Sequence, residues 1–182
     1  TFTATDDCGN ATTATQTITI VDTTAPVLTI PADYTAECSD EHPMDEASAS
    51  DNCGEVTISV EEVTTPGACA GDYTITRTFT ATDDCGNATT DTQTITIVDT
   101  TAPEFTFVPE DYTISCTEDI TYETPTAVDI CSEFTITIDE EITSLGCTGN
   151  YTITRTFSAE DECGNVATDV QVIIVEDTVS PV

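Results

Sequence analysis

The chain has 182 residues and a formal net charge of −33, set by 35 acidic residues against two arginines and no lysine. A surface of that sign repels nucleic acid and anionic lipid, attracts cations, and keeps a long chain soluble. Nine cysteines beside a single histidine argue against zinc and for disulfides made in an oxidising compartment, and no apolar run is long enough to span a membrane.

The sequence repeats itself. The stretch Thr78–Thr90, TFTATDDCGNATT, opens the chain unchanged at Thr1–Thr13 and returns as TFSAEDECGNVAT at Thr156–Thr168. Cys38, Cys53, Cys69 and Cys85 recur 78 residues later as Cys116, Cys131, Cys147 and Cys163, and Cys8 precedes Cys85 by 77. Such self-similarity marks tandem units. The expected organisation is a closing hairpin of a truncated unit at 1–21, complete units at 22–98 and 99–175, and a linker at 176–182. The chain reads as a segment of a longer array.

Taken in order, Thr1–Val21 reads as a hairpin: a strand, the Asp6-Asp-Cys-Gly-Asn10 turn, and a second strand over Thr15–Val21. Ala25–Ile30 is a strand that Pro31-Ala-Asp33 interrupts and Tyr34–Cys38 continues. Ser39–Glu46 is an acidic loop, and Ala47–Ser50 a short strand ending at the Asp51-Asn-Cys-Gly54 turn. Val56, Ile58 and Val60 alternate with polar residues, the pattern of a half-buried strand. A Pro/Gly loop carries Cys69, and Tyr73–Thr82 with Thr90–Val98 forms the closing hairpin. The second unit follows the same plan, with Phe134, Ile136 and Ile138 in place of Val56, Ile58 and Val60. Thr, Val and Ile dominate throughout. The expected fold is all-β: tandem Ig-like antiparallel β-sandwich units of about 78 residues, disulfide-bonded and in line as a rod. Each unit would add roughly 35–45 Å of reach.

Strand order predicts which turns share an end. The incoming linker, the Asp51–Gly54 turn and the Asp83–Asn87 turn fall at one end; the loops with Cys38 and Cys69 fall at the other. Four cysteines allow three pairings; this order favours Cys53–Cys85 with Cys38–Cys69, and Cys131–Cys163 with Cys116–Cys147. Cys8 is left without a mate.

The first end also gathers oxygen ligands of the kind Ca²⁺ takes from flexible loops. Asp22, Asp51, Asp83, Asp84 and Asn87 are the candidates, with Asn52 beside them; Asp99, Asp129, Asp161, Glu162 and Asn165 follow in the second unit. There Ile130 stands at the Asn52 position, so that position is not required. The competing reading is that turns simply favour Asp and Asn. Arg77 and Arg155 occupy one unit position. Period-two alternation puts Arg77 on the face of Ile75 and Phe79, where a guanidinium needs a partner such as Glu61 or Glu62. The arginines are structural on this reading. Sequons occur at Asn10, Asn87 and Asn150. His42 is read as a solvated side chain, and nothing supports nucleophilic catalysis.

The string FTATDDCGN, followed by a strand and by Val98-Asp-Thr-Thr-Ala-Pro103, resembles the HYR-like, Ig-fold repeats of very large Bacteroidetes surface proteins, such as the gliding-motility adhesins of the SprB type. The resemblance implies type IX secretion, a place on the outer surface of a bacterial cell in association with the outer membrane, and a stalk or adhesive role. It also implies O-glycosylation of Asp-Thr motifs, with Thr23, Thr100 and Thr178 as candidates. The function expected is that of a non-catalytic structural segment of a surface adhesin or filament, stiffened by disulfides and by Ca²⁺ between units. Its partners are neighbouring repeats and, through the full-length protein, an external surface or polysaccharide. The alternative is a glycan- or surface-binding module.

Overall fold

The computed structural model describes residues 1–146 and 149–179. Those residues form strands and no helix, so none of them makes a helix long and apolar enough to cross a membrane.

β1 (Phe2–Thr5) and β2 (Ala11–Ala14) pair antiparallel about the Asp6–Asn10 turn. Asp6 accepts the backbone N–H groups of Cys8 and Asn10, and Gly9 supplies a φ of 84°. The strand expected over Thr15–Val21 is absent. Its counterpart later in the chain lies between two partner strands, whereas β1 reaches only far enough to pair Ala11–Ala14. Without a partner the alternation at Thr17–Val21 has no ladder to join.

Six strands follow: β3 (Val27–Thr29), β4 (Tyr34–Glu37), β5 (Ser48–Ser50), β6 (Val56–Pro66), β7 (Tyr73–Asp83) and β8 (Ala88–Val98). The same succession recurs as β9 (Glu104–Phe107), β10 (Tyr112–Ser115), β11 (Thr126–Val128), β12 (Phe134–Ser144), β13 (Tyr151–Asp161) and β14 (Val166–Glu176). In each set the first and third strands make a two-stranded antiparallel sheet, β3–β5 and β9–β11. The others make four-stranded sheets ordered β4-β8-β7-β6 and β10-β14-β13-β12. Each set is an Ig-like β-sandwich with open sheets.

One edge corrects the expectation of an antiparallel sandwich. β4 runs parallel to β8, with Tyr34 opposite Ile95 and Ala36 opposite Ile97; β10 runs parallel to β14, with Tyr112 opposite Ile173. The cause is the proline break. Pro31 has no N–H to continue a ladder, so the chain leaves β5 and starts a new strand beside β8. In the gap Asp33 Oδ1 accepts the Thr94 N–H at 2.7 Å, and Asp111 Oδ1 accepts that of Val172 at 2.6 Å.

The closing strands carry the core. Along β7, Ile75, Arg77, Phe79, Ala81 and Asp83 are buried, and the residues between them are partly exposed. Ile75 packs with Ile95 and Ile97 of β8, flanked by Tyr34, Ala36 and Tyr73. Ile153, Ile173 and Val175 repeat the cluster, with Tyr112, Ile114, Ile120 and Tyr151. Each such side chain, once buried, contributes about 1.5–3 kcal/mol. β6 departs from its half-buried expectation: Ile58 and Val60 are exposed.

The chain divides into two compact units. One comprises Thr1–Ile30, Ala47–Ser59 and Phe79–Asp91; the other comprises Pro31–Glu46, Val60–Thr78 and Thr92–Val182. The second unit therefore holds both apolar clusters and the linker from β8 to β9.

Candidate functional site

The chemistry of this chain concentrates where β8 hands over to the second set of strands. Two disulfides cross that handover. Cys38 bonds to Cys131 and Cys69 to Cys163, with Cα separations of 5.8 and 5.2 Å. This corrects the pairings Cys38–Cys69 and Cys131–Cys163. It also corrects Cys53–Cys85, since both of those thiols are free and exposed, as are Cys8 and Cys116. The remaining expected bond, Cys116–Cys147, lies outside the described residues through Cys147, as does the Ser180–Val182 end of the last linker. Strand order places Cys38 and Cys69 together at one end and Cys131 and Cys163 together at the opposite end of the next set. The two ends meet, and each cysteine bonds across the junction rather than to its neighbour.

Asp99, the first residue after β8, organises the same junction and is 5% exposed. Its N–H donates to Asp72 Oδ1 at 2.9 Å. Its Oδ2 accepts the Ser132 hydroxyl at 2.9 Å, and its carbonyl accepts the Asn165 amide at 3.1 Å. A Cβ on Gly71 would come within 2.5 Å of the Asp99 Cβ, so only glycine fits there. Glu37 closes the other side, accepting the N–H of Thr100 at 3.1 Å and also its hydroxyl. The Thr100 hydroxyl and amide hold the Glu37 carboxyl below its ordinary range. Cys38 N–H donates to the Val98 carbonyl at 2.9 Å, which extends the parallel edge to the disulfide itself.

The predicted calcium ligands behave differently in the two sets. Oxygens of Asp22, Asp51 and Asp83 lie within 4.8 Å of one another. Each also caps its own loop: Asp22 accepts the Thr24 N–H, Asp51 that of Cys53, and Asp83 those of Cys85 and Asn87. Asn87 turns its NH₂ toward Asp83 and the Asp22 carbonyl, so it presents no oxygen to the cluster. Hydrogen bonds from Asn87 hold the Asp83 carboxyl below its usual value. Asp84 lies against Gly54. Three carboxylates of the required kind are thus in place, and with one oxygen from each Ca²⁺ would need at least three more to reach the six to eight it takes.

In the second set Asp99 groups with Cys38 and Cys131 rather than with Asp129 and Asp161. Asp129 caps Cys131 and Ser132. Burial raises the Asp161 pKa, but hydrogen bonds from Asn165 and from backbone N–H groups outweigh it and leave the carboxyl low. Glu162 lines a shallow groove with Glu133, Glu160 and Asp161. The sulfur-containing groups around Asp99 and Asp72 are disulfides, which spends those sulfurs as metal ligands.

Arg77 and Arg155 are buried, at 6% and 3% exposure. Arg77 Nε donates to Glu62 at 3.0 Å, and its NH1 to the Asp45 carbonyl at 2.9 Å and Gln93 Oε1 at 3.1 Å. Arg155 makes the same bonds to Glu140, the Glu123 carbonyl and Gln171, and stacks its guanidinium 4.8 Å from the Tyr122 ring centre. Gln93 and Gln171 are additions the sequence reading missed. Their signal was present: a Gln at an inward position of β8, two residues before Ile95. The Gln93 amide also ties down the Ala32 carbonyl beside the proline break at 2.8 Å.

The glycan candidates Thr23, Thr100 and Thr178 are all exposed, but the Thr100 hydroxyl is engaged by Glu37. The three sequon asparagines serve turns or linkers, Asn150 by accepting the Asp177 N–H. His42 is half-buried and its Nδ1 lacks a hydrogen-bond partner, which corrects its reading as a solvated side chain.

No curated protein sequence matches the chain. Solved structures similar to it include human mucin-like protocadherin EC1-2, at 12% identity over 84% of this chain and 99% of that one, with a TM-score of 0.35. Drosophila N-cadherin EC1-4 is similar at 14% identity over 85% of this chain and 50% of that one, with a TM-score of 0.36. Residues 26–97 match the family described as "HYR-like domain with 4 cysteines", and that stretch holds Cys38, Cys53, Cys69 and Cys85. Over residues 26–97 the chain is thus similar to an HYR-like domain.

Proposed function

We propose that the chain is a non-catalytic structural segment of an extracellular adhesin-type array, with units at 22–98 and 99–175, in which covalent bonds between successive units bear load. The observation that carries this reading is the pair of bonds Cys38–Cys131 and Cys69–Cys163, which join residues on either side of the Val98–Asp99 linker. A small sandwich has a marginal core, and here both sulfur links join one unit to the next instead of closing a unit on itself. The HYR-like match and the disulfides both support an extracellular setting. The location that follows is a bacterial outer surface reached by type IX secretion, in a protein that serves surface adhesion or gliding, with polysaccharide or another surface as the eventual contact. Calcium belongs to the same reading: Asp22, Asp51 and Asp83 would hold the ion and tie the incoming linker to two turns.

The test is force spectroscopy on the chain held by its termini. The oxidised chain should resist extension, and dithiothreitol should release it. Equal extension before and after reduction would remove the load-bearing role. A glycan array distinguishes the binding-module alternative: a structural segment leaves it blank.

A further inference from the structure

We infer that Cys53 and Cys85 are a docking pair for one more unit of this kind, whose cysteines at the positions of Cys38 and Cys69 bond to them. The inference rests on the array reading above. It is carried by the bonded copies of the same positions. Cys53 and Cys85 stand 78 residues before Cys131 and Cys163, and both of those are bonded to the set of strands that precedes them. The first pair is instead exposed and free.

The surroundings match as well. Asp22, at the position of Asp99, also stands beside a cysteine, though it is Cys85, whereas Asp99 stands beside the Cys38–Cys131 bond. The Asn87 amide reaches the Asp22 carbonyl as the Asn165 amide reaches that of Asp99. The opposite end of the second set presents the complementary half. A Cβ on Gly149 would lie 3.5 Å from the Asp177 Cβ and 3.7 Å from Cys116 Sγ, and Asn150 accepts the Asp177 N–H. Gly71, Asp72 and Asp99 play those parts at the closed junction. Cys116 is free and exposed there, at the position of Cys38. Among the described residues, the near end thus offers both cysteines of the link, Cys53 and Cys85, and the far end offers Cys116.

Each bond forms by exchange with a low-molecular-weight disulfide such as oxidised glutathione. Two thiols give up two protons and two electrons, and the small disulfide takes them up and leaves as two thiols. The Cys85 thiol stays exposed, but local desolvation raises its pKa and Asp22, Asp83 and Asp84 raise it further, so exchange at this position quickens in mildly alkaline buffer.

The experiment lengthens the full chain by one copy of residues 22–98, inserted after Val98, with a protease site in the linker between the copies. The protein is oxidised with glutathione and alkylated with iodoacetamide. The insertion adds four cysteines. The expected result is that the number of alkylated thiols equals that of the original chain, and that the cleaved halves stay joined until dithiothreitol is added. Four extra alkylated thiols would overturn the inference. So would halves that separate without reductant, which would mean that the new cysteines bond within a unit. Peptides linking Cys38 of the second copy to Cys131, and Cys69 to Cys163, confirm in the same digest that the product is folded. If those peptides persist and force resistance remains while the halves separate, the docking rule fails and the function proposed above stands.

Discussion

The Asp51/Asp83 turns of the first set and the Asp129/Asp161 turns of the second are built from nearly the same residues, yet their chemistry differs. Where sulfur is bonded, Asp99 is buried and spends its groups on Asp72, Ser132 and Asn165. Where sulfur is free, Asp22 joins Asp51 and Asp83 in a group of carboxylates. The turn does not decide its own role. An acidic loop that caps its own backbone serves as a socket when a neighbour's cysteine and glycine arrive, and as a cation-attracting cluster otherwise. Composition alone cannot tell these apart.

The sharpest way to break the comparison is to remove sulfur at each end. The Cys38–Cys131 bond spans 93 residues, for which loop entropy predicts about 4–5 kcal/mol. Replacing both partners with serine should lower stability by up to that amount in denaturant melts. Cys53→Ser and Cys85→Ser in the same chain should move it by less than about 0.5 kcal/mol. Equal effects at the two ends would erase the distinction.

Next comes the arginine network, which should be indifferent to the junction. Arg77→Met strands Gln93 Oε1 and the Asp45 carbonyl and should cost about 3 kcal/mol. The loss should be the same with the disulfides intact or reduced. Gly71→Ala drives a methyl into Asp99 and should cost about 1–3 kcal/mol. That loss should shrink once the disulfides are reduced, because it acts at the closed junction.

A smaller effect depends on pH. Glu37 is held below its unfolded value by Thr100, so its contribution is present above that value, near 4.5, and is lost as pH falls through the folded one. Glu37→Ala should therefore melt below the parent at neutral pH, and the gap should close as pH falls through the folded pKa. A gap that persists in acid would show that the hydrogen bonds, not the charge, matter. The smallest effect expected is that of chelator. EDTA should lower the melting temperature of the parent and not of an Asp51→Asn, Asp83→Asn variant, if the first-set cluster holds Ca²⁺; an unchanged parent removes the ion.

Much of the fold was legible. The period-two burial of Ile75, Phe79 and Ala81 follows from alternation, and the break at Pro31 follows from a missing N–H. The side of the chain each cysteine occupies was legible too, because strand order fixes which loops share an end. What strand order cannot say is whether two cysteines at one end bond to each other or to a facing pair. That depends on the packing of Gly71 on Asp99, a contact between residues 28 apart with no periodic signature. The parallel edge was hidden for a related reason. A strand of three residues followed by one of four reads as a single interrupted strand, and only the partner reveals that the chain has changed sheets.

The crossed arrangement of the two sulfur links has a consequence for a tether. Residues 38 to 131 and 69 to 163 form loops that overlap in sequence. Fully drawn out, the first alone would hold roughly 300 Å of slack. While the links stay oxidised that slack is locked away, even if every strand between them melts. Thermal softening and lengthening are thereby uncoupled in this stretch, and its reach is governed by the redox state of the surroundings.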